Sequence, residues 1–101
     1  MVFARHKGLI IKMCAFVYII GTETPKGWKT YVGWTNDLDK RLLMHNQGKG
    51  AKFTRGLRWK LLYAEKYLDR SSAMSREFYI KRDTKLRKSV LPTEAKTHHT
   101  K

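Results

Sequence analysis

The sequence predicts an α+β domain, a small, three-stranded, mainly antiparallel sheet flanked by helices. Three observations predict it. Apolar runs with strand character and runs with helical period follow one another in the order strand, strand, helix, strand, helix, which is the pattern of helices packed on a small sheet. Residues that start helices precede both helical runs. The chain has 101 residues, enough for one core and too few for two.

Ala15 to Ile20 is apolar and partly β-branched or aromatic, the pattern of a buried strand. Gly21 to Lys29 holds Thr22, Thr24, Pro25 and Gly27 and reads as a turn-rich loop. Thr30 to Trp34 is the second strand, pairing with the first as an antiparallel hairpin. Thr35, Asn36 and Asp37 then start a helix, along which Leu38, Leu42 and His45 recur at helical spacing, and Gly48 stops it. Gly48 to Arg58 is a loop rich in glycine and lysine, and Trp59 to Tyr67 is the third strand. Asp69, Ser71 and Ser72 offer caps to a final helix from about Ala73 to Lys88, and Pro92 limits its extension. The expected organisation is a loose leader over residues 1–13, one folded domain over 14–91 and a disordered polar tail over 92–101.

Lysine and arginine number 22 against 8 acidic residues, a net charge of +14. Solubility needs a net charge of only roughly 2–8 in a small domain, so the excess points to a polyanionic partner. Nucleic acid comes first and an anionic membrane surface second. The longest apolar run, Cys14 to Ile20, is far shorter than the roughly 20 residues that span a bilayer. Without a small-residue cleavage site after Lys12, a cytoplasmic location is expected. Cys14 is the lone cysteine, which excludes an intrachain disulfide and a cysteine-rich zinc site. His98 and His99 are adjacent in the tail and make a poor chelate.

The charge is unevenly placed. No acidic residue occurs from Lys40 to Ala64, a stretch holding Lys49, Lys52, Arg55 and Arg58 beside glycines that let backbone approach a phosphate. Lys81, Arg82, Lys85, Arg87 and Lys88 form a second cluster on the last helix. Phe53 and Trp59 lie among these charges, able to stack on an unpaired base or to anchor the core, the latter favoured for Trp59. Contacts to nucleic acid are expected from Lys49, Lys52, Thr54, Arg55, Arg58 and Lys81.

Val17-Tyr18-Ile19 followed by Tyr31-Val32-Gly33, then Thr35-Asn36-Asp37-Leu38 with Arg41, His45, Asn46 and Gly48, form an ordered set of motifs. Gly50 to Arg55, Trp59, Arg76-Glu77 and Ile80-Lys81 continue it. Together they resemble the GIY-YIG nuclease superfamily, in particular its small stand-alone bacterial type and the nuclease domain of structure-specific endonucleases. The resemblance implies a metal-dependent endonuclease that hydrolyses phosphodiester bonds in DNA, in repair or recombination. It carries catalytic roles onto Tyr18, Tyr31, Arg41, His45 and Glu77, with one Mg²⁺ or Mn²⁺ ion on Glu77. Two departures stand out. The first signature reads Val-Tyr-Ile, and Trp34 follows the second where some branches carry lysine. Target selection would come from this domain on branched or otherwise structured DNA, from a homodimer or from a partner protein.

The residues support that assignment on their own terms. Arg41 and His45 are i and i+4 and project from one helix flank. Glu77 is bracketed by Ala73 and Ile80 on one side and Met74 and Phe78 on the other, where a carboxylate is costly unless it is paired or binds a cation. An ion pair with Lys81 at i+4 is the plainer alternative. A tyrosine acting as base near neutral pH needs positive charge beside it, which Arg41 and a metal ion would supply. The competing functional reading is a non-catalytic DNA- or RNA-binding module on the same scaffold.

Overall fold

The computed structural model describes residues 14–92. The leader assigned to residues 1–13 and all of the tail but Pro92 lie outside this range, His98 and His99 included. Strand β1, Ala15–Thr24, is the centre of a three-stranded sheet. It pairs antiparallel with β2, Gly27–Thr35, on one side and with β3, Lys60–Tyr67, on the other. Helix α1, Leu38–Asn46, follows β2; α2, Arg70–Arg82, and the short α3, Thr84–Ser89, follow β3. The expected α+β architecture with a three-stranded antiparallel sheet is therefore observed.

The hairpin is tighter than the sequence suggests. Gly21 to Lys29, read as a loop, is almost entirely strand, because β1 and β2 stay paired from Phe16↔Thr35 to Thr24↔Gly27 across the two residues Pro25 and Lys26. The Thr24 hydroxyl donates to Gly27 O at 2.7 Å, and Gly27 takes φ +116°, a conformation glycine adopts without cost. β3 starts one residue later than expected, at Lys60, and carries a register shift against Ile19 and Ile20. Tyr63 faces Ile19 and Leu61 faces Ile20, so the shift turns Leu61 to the opposite face from Tyr63.

Alternation along β1 divides the core in two. Ala15, Val17 and Ile19 pack with Val32, Ala73 and Ile80 beneath α2 and α3. Tyr18 and Ile20 pack with Trp59, Tyr31, Leu38 and Leu42 beneath α1 and the following loop. Each helix starts on an aspartate whose side chain accepts a backbone N–H: Asp37 from Lys40, Asp69 from Ser72 and Asp83 from Leu86. Asp83 divides the expected single helix over 73–88 into α2 and α3, its own backbone at φ −94°, ψ 84°. Gly48, at φ +78°, lies just past the end of α1, as its sequence position implies. No helix among the described residues is long and apolar enough to cross a membrane.

Candidate active site

Tyr18, Arg41 and His45 meet beneath α1. The Tyr18 hydroxyl is 2.8 Å from His45 Nε2, and Arg41 Nε donates to the same phenol oxygen at 3.3 Å. His45 is fully buried, and its Nδ1 lies 2.9 Å from Thr54 Oγ1. The hydrogen positions follow from this arrangement. Thr54 donates its hydroxyl proton to Ala51 O at 2.9 Å, so Oγ1 can only accept from His45. His45 therefore carries its proton on Nδ1 and accepts at Nε2 from Tyr18, whose oxygen accepts from Arg41. The four groups form one directed chain from Arg41 to the Ala51 carbonyl.

Two glycines make room for this chain. A Cβ on Gly33 would lie 2.5 Å from the Tyr18 hydroxyl oxygen and 2.7 Å from Cζ. Gly33 is paired with Tyr18 across the β1–β2 ladder, so the phenol reaches across β2 through the space a side chain would take. A Cβ on Gly50 would collide with the ring of His45 at Nδ1. The loop bearing Gly50 is pinned by Asn46, which donates to Trp59 O at 3.1 Å and accepts from Trp59 N at 2.6 Å. Trp59 itself is a core anchor, 3% exposed, its indole N–H donating to Thr54 O.

Tyr31 joins the same face, its ring 5.1 Å from His45 and stacked at 6.1 Å on Phe53. Phe53 is half exposed and carries Lys29 Nζ 4.5 Å above its ring. Tyr31, Phe53, Thr30 and Val32 line a cleft of about 280 Å³ along the outer edge of β2, with Lys81 and Arg87 on its far side. Glu77, on α2, pairs with the cleft residue Lys81, its Oε2 3.6 Å from Lys81 Nζ. Burial is the main influence that raises the Tyr18 pKa, and the charge of Glu77 adds the smallest of the contributions. The helix of Glu77 packs through Ala73 and Ile80 on the sheet face opposite the one that carries Tyr18 and Tyr31. Arg41 also borders a second cavity of about 320 Å³ with Trp34, Thr35 and Asn36. Trp34 packs on the core and also lines this cavity.

Burial and charge pull in opposite directions at Tyr18. Burial raises the Tyr18 pKa above its ordinary 10.0 and outweighs the lowering by Arg41, so the phenol stays protonated and acts as a donor. His45 is held below its ordinary 6.5, first by burial and then by Arg41, which keeps it neutral and able to accept a proton. Thr54, expected to contact nucleic acid, is fully buried, and its hydroxyl is committed to Ala51 and His45. Lys49, Lys52, Arg55, Arg58 and Lys81 are all exposed.

A cluster not foreseen from sequence sits on the opposite face. Arg76 grips Glu65 with both Nε and Nη2, at 2.8 and 3.0 Å, while Tyr63 and Tyr67 donate their hydroxyls to the same carboxylate. Arg76 and the tyrosines hold Glu65 at a pKa of about 2, against an ordinary 4.5. The period-2 placement of Tyr63, Glu65 and Tyr67 is the signal that would have found it.

A family model described as the GIY-YIG catalytic domain matches residues 14–89. The chain belongs to the GIY-YIG family. Its relatives include a UPF0213 protein of Clostridium perfringens, 46% identical over 77 residues, covering 75% of this chain and 80% of that protein. The UPF0213 protein YazA of Bacillus subtilis is 40% identical over 76 residues, covering 74% of each. A solution NMR structure of a UPF0213 protein from Bacillus halodurans is 35% identical and covers 78% of this chain and 82% of that one, with a TM-score of 0.43. Membership in a nuclease superfamily gives the residues around Tyr18 a catalytic context.

The GIY-YIG family implies a divalent metal, and Glu77 is the residue to test for it. Among the described residues no group of three or more histidine, cysteine, aspartate or glutamate side chains could cage an ion. A single carboxylate suits Mg²⁺, which keeps several waters and completes its shell with substrate phosphate oxygens. The cationic neighbours Lys81 and Arg87 suit the phosphate that would arrive with it.

Proposed function

We propose that this protein is a divalent-metal-dependent endonuclease that hydrolyses phosphodiester bonds in DNA. The observation that carries the reading is the directed chain Arg41–Tyr18–His45–Thr54, which places a buried neutral imidazole behind the phenol and closes on the Ala51 carbonyl. In this reading Arg41 turns its guanidinium to the scissile phosphate, where charge develops in the transition state. Tyr18 holds the attacking water, and a proton released there passes through the phenol to His45 Nε2 as the water is deprotonated. Thr54 and Gly50 fix the imidazole for that transfer. Tyr31, stacked on Phe53, borders the strand's entry beside β2. The ion held by Glu77 would supply charge stabilisation to the phosphate and the leaving oxygen.

Lys49, Lys52, Arg55, Arg58 and Lys81 would contact the DNA backbone, and branched, nicked or flapped DNA of repair and recombination is the substrate class to try. The setting is cytoplasmic, with a homodimer or partner protein available to select the target. One observation favours a second reading. Lys81 already sits 3.6 Å from Glu77, as in a non-catalytic DNA- or RNA-binding module that needs no metal. Cleavage of duplex, flap and four-way-junction DNA with Mg²⁺ or Mn²⁺ separates the two. A nuclease loses cleavage in EDTA and in Glu77→Gln but keeps DNA affinity. A binding module cuts nothing under any of these conditions.

A further inference from the structure

The cleft beside Tyr31 does not end there. A third cavity, of about 250 Å³, continues it along the edge of β2, lined by Trp28, Thr30, Thr84, Arg87, Lys88 and Leu91. Thr30 and Arg87 border both. From Tyr31 to Trp28 is three strand residues, about 10 Å. Two residues that line this third cavity each carry a buried N–H, Trp28 Nε1 and Arg87 Nε, with no hydrogen-bond acceptor among the described residues. Buried donors are almost always paired, so two on one cavity point to an acceptor supplied from outside the protein. The charge there has one sign. Lys81, Arg87 and Lys88 gather on this side of the sheet. Of the carboxylates nearby, Glu77 faces Lys81, Asp83 caps Leu86, and Glu23, opposite Trp28, is exposed and outside the cavity wall. The fold keeps the Trp28 ring in place through Gly21, where a Cβ would lie 3.2 Å from Trp28 Cε3.

We propose that this cavity is a second phosphate seat, binding a phosphodiester of the nucleic-acid strand a few nucleotides from the one at Arg41. Trp28 Nε1–H and Arg87 Nε–H donate to its oxygens, and Lys88 adds charge. An acceptor of this kind meets two donors of fixed direction, one on a strand and one on a helix, and so sets the path of the strand along β2. Thr30 and Thr84 border the same cavity, and the Thr84 hydroxyl accepts from Arg87 Nη2 at 3.4 Å. The proposal deepens the nucleic-acid reading above and rests on it, but it concerns binding and not chemistry.

The test reads binding in EDTA, where cleavage is absent. The indole N–H signal of Trp28, assigned with Trp28→Phe, is followed by ¹H–¹⁵N NMR while a short DNA duplex is added. Trp59, whose indole N–H is bonded to Thr54 O, reports an intact fold. A separate titration uses inorganic phosphate. The expected result is a saturating shift of the Trp28 signal with DNA at micromolar concentration and with inorganic phosphate only at millimolar. Arg87→Gln weakens DNA binding about tenfold, the loss of one charge-assisted contact, and lowers the slope of log K against log salt by about one. Trp28→Phe weakens binding with the slope unchanged. A Trp28 signal that stays still while the backbone signals of Tyr31 and Phe53 move overturns the proposal, as does equal affinity in both variants. A response to phosphate at lower concentration than to DNA overturns the strand assignment. Protein that cuts DNA with a motionless Trp28 signal removes this seat alone; protein that shifts Trp28 and never cuts removes the nuclease alone.

Discussion

Tyr18 is where sequence and structure diverge in chemistry. A tyrosine beside an arginine invites the reading of a lowered pKa, and Arg41 does pull in that direction. Burial wins because the phenol is only 2% exposed. In the proposed mechanism the phenol therefore orients and passes on a proton while His45 accepts it. Tyr18→Phe removes the oxygen and leaves both Arg41 Nε and His45 Nε2 without a partner at this point. Cleavage should fall on the order of 10²–10⁴-fold, the usual worth of a positioned proton-transfer group. Stability should drop by about 1–3 kcal/mol for the unsatisfied buried groups. Single-turnover rates and urea unfolding measure the two separately. A variant that cuts at the wild-type rate would remove Tyr18 from the mechanism.

His45 supplies a prediction with a sign. Its folded pKa lies below 6.5, so the unfolded chain takes up the proton more readily. The stability it contributes is complete above about pH 6.5 and is lost as pH falls below that toward the folded value. Activity should follow the same limb, because a protonated His45 cannot accept from Tyr18. Urea midpoints from pH 7.5 to 5 should fall for the wild type and fall less for His45→Gln.

At the scale of elements, much of the fold was legible. Ala15 to Ile20, the caps at Asp37 and Asp69, and Gly48 declared themselves because each follows from local chemistry. What was hidden depended on partners. Gly21 to Lys29 holds enough glycine and threonine to look like a loop, and only pairing across Pro25 and Lys26 makes it strand. Asp83 looks like one more polar residue on a helix until its carboxylate accepts from Leu86 N. Asp83→Ala should cost about 1 kcal/mol, the usual worth of a helix cap, and should loosen α3 from the sheet, seen as faster amide exchange over residues 84–89. The site was half legible for the same reason. Arg41 and His45 at i and i+4 announce a shared flank, but nothing in Gly33 or Gly50 announces that a phenol and an imidazole occupy the space where their side chains would be. Gly50→Ala should therefore abolish most cleavage by displacing His45. Its DNA affinity and its content of helix and strand should remain, which circular dichroism and anisotropy report. Thr54 was misplaced because a threonine in a lysine-rich loop looks solvent-facing, whereas its hydroxyl closes the chain from Tyr18.

The whole molecule is a cation with its charges sorted. The net charge of +14 is carried in part by exposed loop residues such as Lys49, Lys52, Arg55 and Arg58 and by α2 and α3, whose Lys81 and Arg87 border the cleft along β2. The carboxylates of the fold are largely committed. Glu65 is gripped by Arg76, and Asp37, Asp69 and Asp83 cap helices. Glu65 matters here because it removes one positive charge from the face opposite Tyr18. Its stabilising effect is complete above pH 4.5 and is lost as pH falls through about 2.

A polycation of this layout should bind duplex DNA chiefly by releasing counterions. If the strand lies along β2 and the loop, about six phosphates are contacted. Affinity should then fall roughly a thousandfold between 50 and 200 mM salt, the slope of log K on log salt near −0.9 for each phosphate. Removing Lys49 and Lys52 together should lower that slope by about two, with cleavage at saturating DNA unchanged, because neither side chain touches Tyr18, Arg41 or Glu77. The same pair of substitutions therefore separates holding the substrate from cutting it. Anisotropy across a salt series gives the slope, and single-turnover cleavage at saturating DNA gives the rate. A lost rate at saturation would mean that the loop charges act in the chemical step, and the division between the basic surface and the buried chain beneath α1 would have to be given up.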